Sequence, residues 1–387
     1  MSSFDAIVIG AGSVGLPSAF YLGELGLKVL VLEELPAPGQ GQHKAAIGGV
    51  RATHSDPAKI LLCQDSLEVF RTFEERHGIS VGWKPGGYVF PVYADSSERT
   101  LKGLLERQHS YGLNIEWVDA QTMAELVPGI QRQDLRGGTY SPEDGQVSPL
   151  LAADAFRRLA EGRGAKFRFR DLVTAIDTHQ GRVRSVTTAS GETFHAPLVL
   201  NASGSHARQV GALVGLDVPV RPDSHEAGIT APLAHFLRPL VVDIRPGREG
   251  RTANFYFGQN HEGQIIFCYT PRELFYGEDR EATSEFLPVV TRRLIELVPR
   301  LRNMLIRRTW RGLYPMTPDG VAIVDRTPIE GYFLAVGMCG QGFMLGPGVG
   351  RNIATLMVEG RQTLREDAAR MLRFDRDFGA AKSEALK

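Results

Sequence analysis

The chain has 387 residues, 43% hydrophobic and 23% charged, with 44 basic residues balancing 44 acidic ones. That length exceeds the roughly 250 to 300 residues at which one core usually divides, so two domains are expected, and the composition excludes a disordered or low-complexity chain. Balanced charge supplies no global field for nucleic acid or an anionic membrane, and three dispersed cysteines, Cys63, Cys268 and Cys339, fit a reducing compartment better than a disulfide framework or a metal cluster.

The N-terminus reads MSSFDAIVIGAG. No basic region precedes its apolar run and a glycine turn ends it, which predicts a strand over residues 4–9 rather than a secretory signal. No run approaches the roughly 18 to 20 apolar residues that span a bilayer, so a soluble, cytoplasmic protein is expected. Gly10, Gly12, Ser13, Val14 and Gly15 then form GAGSVG, followed by a helical pattern and a second strand over 28–32 that ends at Glu33, with Glu34 able to share its role. Strand, glycine turn, helix, strand and terminal acid occur in the order of a dinucleotide site. Gly10 permits the turn, Gly12 lets backbone approach a pyrophosphate, Gly15 allows close helix–strand packing, and the acid accepts from ribose hydroxyls. The fingerprint alone does not distinguish NAD from FAD.

Further along, His43, Lys44 and Ala45 lie in a glycine-flanked segment just before Arg51. Helical periodicity appears over 58–73, 97–109 and 283–297, and sheet candidates over 86–90, 253–257 and 265–269. Between them, residues 171–176, containing Val173, and the run LVLN at 198–201 read as strands. The second ends in Ala202, Ser203 and Gly204, small residues that allow close approach to a cofactor. Near the C-terminus, residues 332–336 form a strand that enters Gly340, Gln341, Gly342, Phe343 and Met344 and then a helix, with Pro347 expected in its first turn. That turn lacks a following strand with a terminal acid, so it suits the flavin end of one FAD better than a separate nicotinamide, with helix N-terminal donors facing charge that develops on reduction. Residues 361–387 read as a charged surface helix with a loose end.

These segments, with WRGLYPMTPDG at 310–320, VLNASG at 199–204 and GQGFMLGPGVG at 340–350, resemble the D-amino acid oxidase-like flavoprotein superfamily over nearly the whole chain. The likeness is greatest to the sarcosine oxidase, glycine oxidase and dye-linked proline dehydrogenase β-subunit branch. It implies an α/β fold (α+β overall), in which a Rossmann-like FAD-binding domain of residues 1–85, 146–220 and 311–387 carries a second, substrate domain. That second domain, residues 86–145 and 221–310, is built on a mixed or antiparallel sheet. It also implies oxidation of a small amine or amino acid by hydride transfer to FAD, with Arg51 holding a substrate carboxylate and Tyr314, Tyr256 and Tyr269 as candidate pocket tyrosines.

The sequence departs from relatives in ways that bear on function. Gly312 stands where monomeric sarcosine oxidases attach FAD through cysteine, and Met344 where they carry a carboxylate-binding lysine. Tyr314 replaces the arginine of glycine oxidases, and no lysine matches the oxygen-activating one. Noncovalent FAD is therefore expected, with His43 the one residue near a known histidine attachment point, and a dehydrogenase passing electrons onward is as well matched as an oxidase. A 2-hydroxy acid dehydrogenase using His54, His225 or Glu226 as base, and a flavin subunit active only with partner subunits or an electron-acceptor protein, are the alternatives.

Overall fold

The computed structural model describes residues 3–379. Ala6–Ile9 and Val29–Glu33 pair in parallel, as apolar runs buried on both faces do, and the helix Gly15–Glu24 returns the chain between them. The sheet extends to six strands in the order Ile323–Arg326, Tyr332–Val336, Leu198–Asn201, Ala6–Ile9, Val29–Glu33, Lys166–Phe169. All pairs are parallel except that of the outermost strand, Ile323–Arg326. A glycine turn, an acid-tipped strand and two small-residue turns thus come from separated chain segments to one end of one sheet, where an open α/β sheet binds ligands.

A second, eight-stranded sheet runs in the order Ile306–Met316, Arg221–Thr230, Ile265–Pro271, Thr252–Gln259, Leu240–Asp243, Tyr88–Val92, Gly137–Ser141, Glu116–Val118. It is mixed, since Leu240–Asp243 lies parallel to Tyr88–Val92 while its other pairs are antiparallel. One face packs Phe255, Phe257 and Phe267 against the helix Phe286–Leu297. The strand Ile306–Met316 runs unbroken through position 311, where the sequence suggested a change of domain, because its whole length pairs with Arg221–Thr230.

The expected helices at 58–73, 97–109 and 283–297 are Pro57–His77, Asp95–Ser110 and Phe286–Leu297. No helix among the described residues is long and apolar enough to cross a membrane. Two expectations need correction. The C-terminal segment is not one surface helix: among its described residues beyond the preceding long helix only Glu366–Met371 is helical, and Arg376 after it binds the buried Asp319 at 2.7 Å. Residues 380–387 of the expected loose end lie outside the described residues. The last long helix begins at Gly342, which makes Pro347 its sixth residue rather than a first-turn one. A proline there gives no N–H to the carbonyl four residues back, and the next N–H, of Gly348, meets the Ser66 hydroxyl at 3.0 Å.

Candidate functional site

A cavity of about 650 Å³ runs from the glycine turn to the inner face of the eight-stranded sheet. At one end Gly10 holds φ +106°, and a Cβ there would lie 2.7 Å from the Ala202 carbonyl oxygen. A Cβ on Gly15 would lie 1.9 Å from the Gly10 oxygen, so both glycines are fixed by the crossing of backbones. At Gly12, which lines the cavity, an added Cβ would meet nothing within 4 Å of the protein. Its lack of a side chain keeps space open for a ligand and serves no packing.

The carboxylate of Glu33 accepts from the Ala11 N–H at 2.7 Å and the Leu35 N–H at 2.9 Å, which ties the second strand to the glycine turn. A carboxylate accepts about four hydrogen bonds, so acceptor capacity remains for ribose hydroxyls. Burial raises its pKa, opposed by those two amides. Glu34 lines the same end but pairs with His206 Nδ1 at 3.2 Å, which lowers the Glu34 pKa and raises that of His206. Sequence reading passed over His206, since only the fold brings Ala207–Ala212 and its preceding turn beside the end of the second strand.

Ser13, Val14, Ala45, Val173, Ala202, Ser203, Gly204, Gly312 and Gly340 through Met344 all line the cavity. Asn201, fully buried, shapes its turn by accepting from the Ser203 N–H at 3.2 Å and hydroxyl at 2.7 Å. The C-terminal glycine run divides its labour. Gly340, at φ +81°, passes so close to the Tyr314 ring that a Cβ would lie 2.4 Å from it. Gly346 and Gly348 press instead on the backbone oxygens of Ser13 and Leu62, at 2.0 and 2.1 Å from an added Cβ. These two glycines pack helices rather than bind, while Gly340 to Met344 face the cavity.

His43 is buried with its ring edge toward Phe343, and its Nε2 meets the Pro149 carbonyl at 2.5 Å. Burial lowers its pKa, so the ring is neutral and donates through Nε2, which leaves Nδ1 as an acceptor without a hydrogen-bond partner. Lys44 does not reach the cavity: its side chain is exposed and lies 3.4 Å from Gln40, because the short helical turn His43–Ala45 points successive residues apart.

The other end of the cavity is built by strand alternation. On Thr252–Gln259, Phe255 and Phe257 enter the core while Asn254 and Tyr256 face the cavity, and on Ile265–Pro271 the cavity side belongs to Cys268 and Thr270. Tyr269 therefore points away and packs on Phe286 with ring centroids 5.3 Å apart, which removes it from the candidate site. Across the register, Tyr256 stands opposite Cys268 and Asp223 opposite Tyr314. Tyr256 and Tyr314 bring their hydroxyls to 3.0 Å, and the Tyr314 ring stacks on His225 at 3.7 Å. Burial raises both phenol pKa values, so the pair acts through O–H groups and not as phenolates. His225 Nε2 in turn meets the buried Asp223 carboxylate at 2.7 Å.

Arg51 lines this end as well, 7% exposed, with its guanidinium 5.5 Å from the centre of the Phe90 ring and bonded to the Thr53 carbonyl. Tyr88 stands over Gly49, and its hydroxyl feels both Arg51 and Cys268. His54 and Glu226, considered as bases, separate: His54 is fully buried beside Cys63 Sγ at 3.6 Å, and Glu226 accepts from the Thr283 N–H at 2.7 Å near the rim. Asp223, Cys268, Asn254 and Tyr88 were legible as cavity residues only once Phe255, Phe257 and Phe267 fixed which strand face is core.

One end therefore carries a turn, an open glycine and an acid suited to a dinucleotide, the other a pocket with an arginine and paired tyrosines. Residues 5–356 match the family model described as FAD dependent oxidoreductase. The chain belongs to this family. It is 28% identical to the mitochondrial sarcosine dehydrogenase of Mus musculus, over 93% of this chain but only 40% of that protein. It is 26% identical to the sarcosine oxidase subunit beta of Rhizobium meliloti (strain 1021), over 97% of this chain and 89% of that one. The structure of L-proline dehydrogenase from P. horikoshii superposes with a TM-score of 0.91 at 29% identity, covering 98% of this chain and all of that one. The resemblance read from the motifs is the one these comparisons find.

The residues present fit FAD. The open space at Gly12, the Glu33 carboxylate and the helix N-terminus at Gly15 would hold the ADP half. Gly340 to Met344, with the orphaned buried acceptors His43 Nδ1 and Gln341 Oε1, would surround the flavin half.

Proposed function

We propose that this chain oxidises a small secondary or primary amino acid, of the sarcosine, proline or glycine kind, to the corresponding imine. Bound FAD supplies the hydride acceptor. The chain's own residues bind, orient and exclude water. One observation carries the reading: Arg51, the buried one of the two arginines that line the cavity, shares its end of the cavity with the Tyr256–Tyr314 pair. A guanidinium suits a carboxylate, a charge-assisted pair contributing roughly 1.5 to 3 kcal/mol. Tyr256 is engaged by both Cys268 and Tyr314, which leaves the Tyr314 O–H to orient the substrate. Positioning a neutral amine with its C–H toward the flavin is most of what the reaction needs.

The names of the relatives favour the same class, with sarcosine and proline at the head of the candidates. FAD is held noncovalently in this reading. Gly312 has no side chain to attach, and an added Cβ would lie 2.7 Å from that of Ala45. His43 Nε2 is already engaged by Pro149. Residues 1–85, 146–220 and 311–387 form the FAD-binding unit and 86–145 with 221–310 the substrate unit. Since one relative is named as a subunit, onward electron transfer to a partner subunit or acceptor protein is part of the proposal. Work in the cytoplasm is also part of it.

A second reading, oxidation of a 2-hydroxy acid, draws on the Asp223–His225 pair, a histidine–carboxylate arrangement at the Arg51 end of the cavity suited to taking a hydroxyl proton. The deciding experiment mixes the yellow holoprotein anaerobically with sarcosine, L-proline, glycine, both alanine enantiomers and a set of 2-hydroxy acids while the flavin band is followed. Bleaching by an amine supports the first reading, and bleaching by hydroxy acids alone replaces it with the second. Admitting oxygen afterwards separates an oxidase from a dehydrogenase.

A further inference from the structure

Arg51 follows the two-residue strand Gly49–Val50, whose antiparallel partner is Gly145–Gln146. Val50 stands opposite Gly145, so continuing the register sets Arg51 against Asp144. The Asp144 side chain, 1% exposed, reaches past Arg51 to the two residues after it. One carboxylate oxygen accepts from the Ala52 N–H at 2.9 Å and the other from the Thr53 hydroxyl at 2.8 Å. Thr53 in turn offers its carbonyl to the Arg51 guanidinium. The Asp144 backbone is held too, its carbonyl accepting from the Gly87 N–H at 2.8 Å, next to the strand that carries Tyr88 and Phe90.

We propose that Asp144 is the positioning residue of the substrate-carboxylate site: it fixes the turn at Ala52 and Thr53 and thereby aims the Arg51 guanidinium along the face of Phe90 into the cavity. This rests on the reading of Arg51 as the carboxylate contact. A two-residue strand cannot hold a long cationic side chain by itself, and a buried carboxylate that accepts from the next two residues removes the backbone freedom by which Arg51 would drift. Asp144 touches no substrate and acts only through Arg51. The negative charge near Arg51 also keeps the buried guanidinium from being an isolated charge.

The test uses holoprotein with acetate as probe, its dissociation constant read from perturbation of the flavin spectrum, beside KM and kcat for the amine substrate. Asp144→Ala is expected to weaken acetate about tenfold or more and raise KM similarly, with FAD content unchanged and kcat altered less than twofold. Asp144→Asn keeps one oxygen for the Ala52 N–H and an amide to meet the Thr53 oxygen, and should restore most of the affinity. Thr53→Val, which loses one hydroxyl and keeps the carbonyl that Arg51 uses, is expected to weaken acetate about threefold and serves if Asp144→Ala does not fold. Arg51→Ala is the control. If it binds acetate as well as the unaltered protein, or if the unaltered protein binds none, the carboxylate reading falls and this proposal with it. If Arg51→Ala loses acetate while Asp144→Ala or Thr53→Val binds it normally, the proposal alone is overturned.

Discussion

Tyr256 and Tyr314 come from strands 58 positions apart in sequence and meet with their phenolic oxygens 3.0 Å apart on the cavity face of the larger sheet. The Tyr314 ring is clamped between His225, stacked at 3.7 Å, and the backbone of Gly340. The C-terminal turn that would surround the flavin thus touches the wall that would hold the substrate.

Replacing either tyrosine by phenylalanine removes the shared hydrogen bond and leaves the packing. The rate of anaerobic flavin reduction should fall about tenfold, the worth of roughly one hydrogen bond, with the melting temperature little changed. Tyr269→Phe, on the opposite face of its strand, should leave that rate unaltered. A slow Tyr269→Phe variant would contradict the assignment of faces.

Arg51→Ala should raise KM for a carboxylate substrate by roughly 10- to 150-fold, from a lost charge-assisted pair of about 1.5 to 3 kcal/mol. Steady-state kinetics with an amino acid and with the matching amine lacking the carboxylate would separate the effect, since only the former should suffer.

The glycines divide into two kinds with different failures. Gly12→Ala meets no protein atom within 4 Å and should fold normally, yet bind FAD far more weakly as its methyl enters the pyrophosphate space. Gly346→Ala would put a methyl 2.0 Å from the Ser13 carbonyl and should cost about 1 to 3 kcal/mol of stability or more. Flavin-to-protein absorbance ratios and thermal melts of the apoproteins distinguish the two.

Asp144 gives a pH signature. Burial pushes its carboxyl up to about 6, against the opposing effects of the Ala52 amide, the Thr53 and Ser141 hydroxyls and the Arg51 charge. A folded-state value above that of the unfolded chain means the folded state holds the proton more tightly. This stabilisation is full below about pH 4 and is lost as pH rises through about 6. Asp144→Asn does not titrate, so its stability relative to the unaltered protein should rise by about 2 to 3 kcal/mol between pH 4 and 8, measured by denaturant titration. A flat difference would show that the carboxyl is not shifted.

The dinucleotide end of this protein was legible in the sequence because its determinants are local. Gly10, Gly12, Gly15 and Glu33 act within one strand, turn, helix and strand, and the spacing of the motif is itself the geometry. The same holds for the strands at 198–201 and 332–336, whose apolar runs leave one reading. Lys44 and Tyr269 went astray because proximity in sequence says nothing of which way a side chain points. The alternation of Phe255, Phe257 and Phe267 carried that information for Tyr269 all along.

The order of strand, glycine turn, helix and acid-tipped strand by itself determined a dinucleotide site, because those features are short-range, while the family and the choice of FAD came from the resemblance of VLNASG, GLYPMTPDG and GQGFMLGPGVG to known flavoproteins. The tertiary structure alone decided the arrangement at the other end of the cavity. It brought Arg51, Asp144, His225, Tyr256 and Tyr314 together across strand registers, assigned Gly346 and Gly348 to packing, and paired Glu34 with His206. Register and crossing distance are set by long-range burial of apolar faces, and no local pattern of residues encodes them.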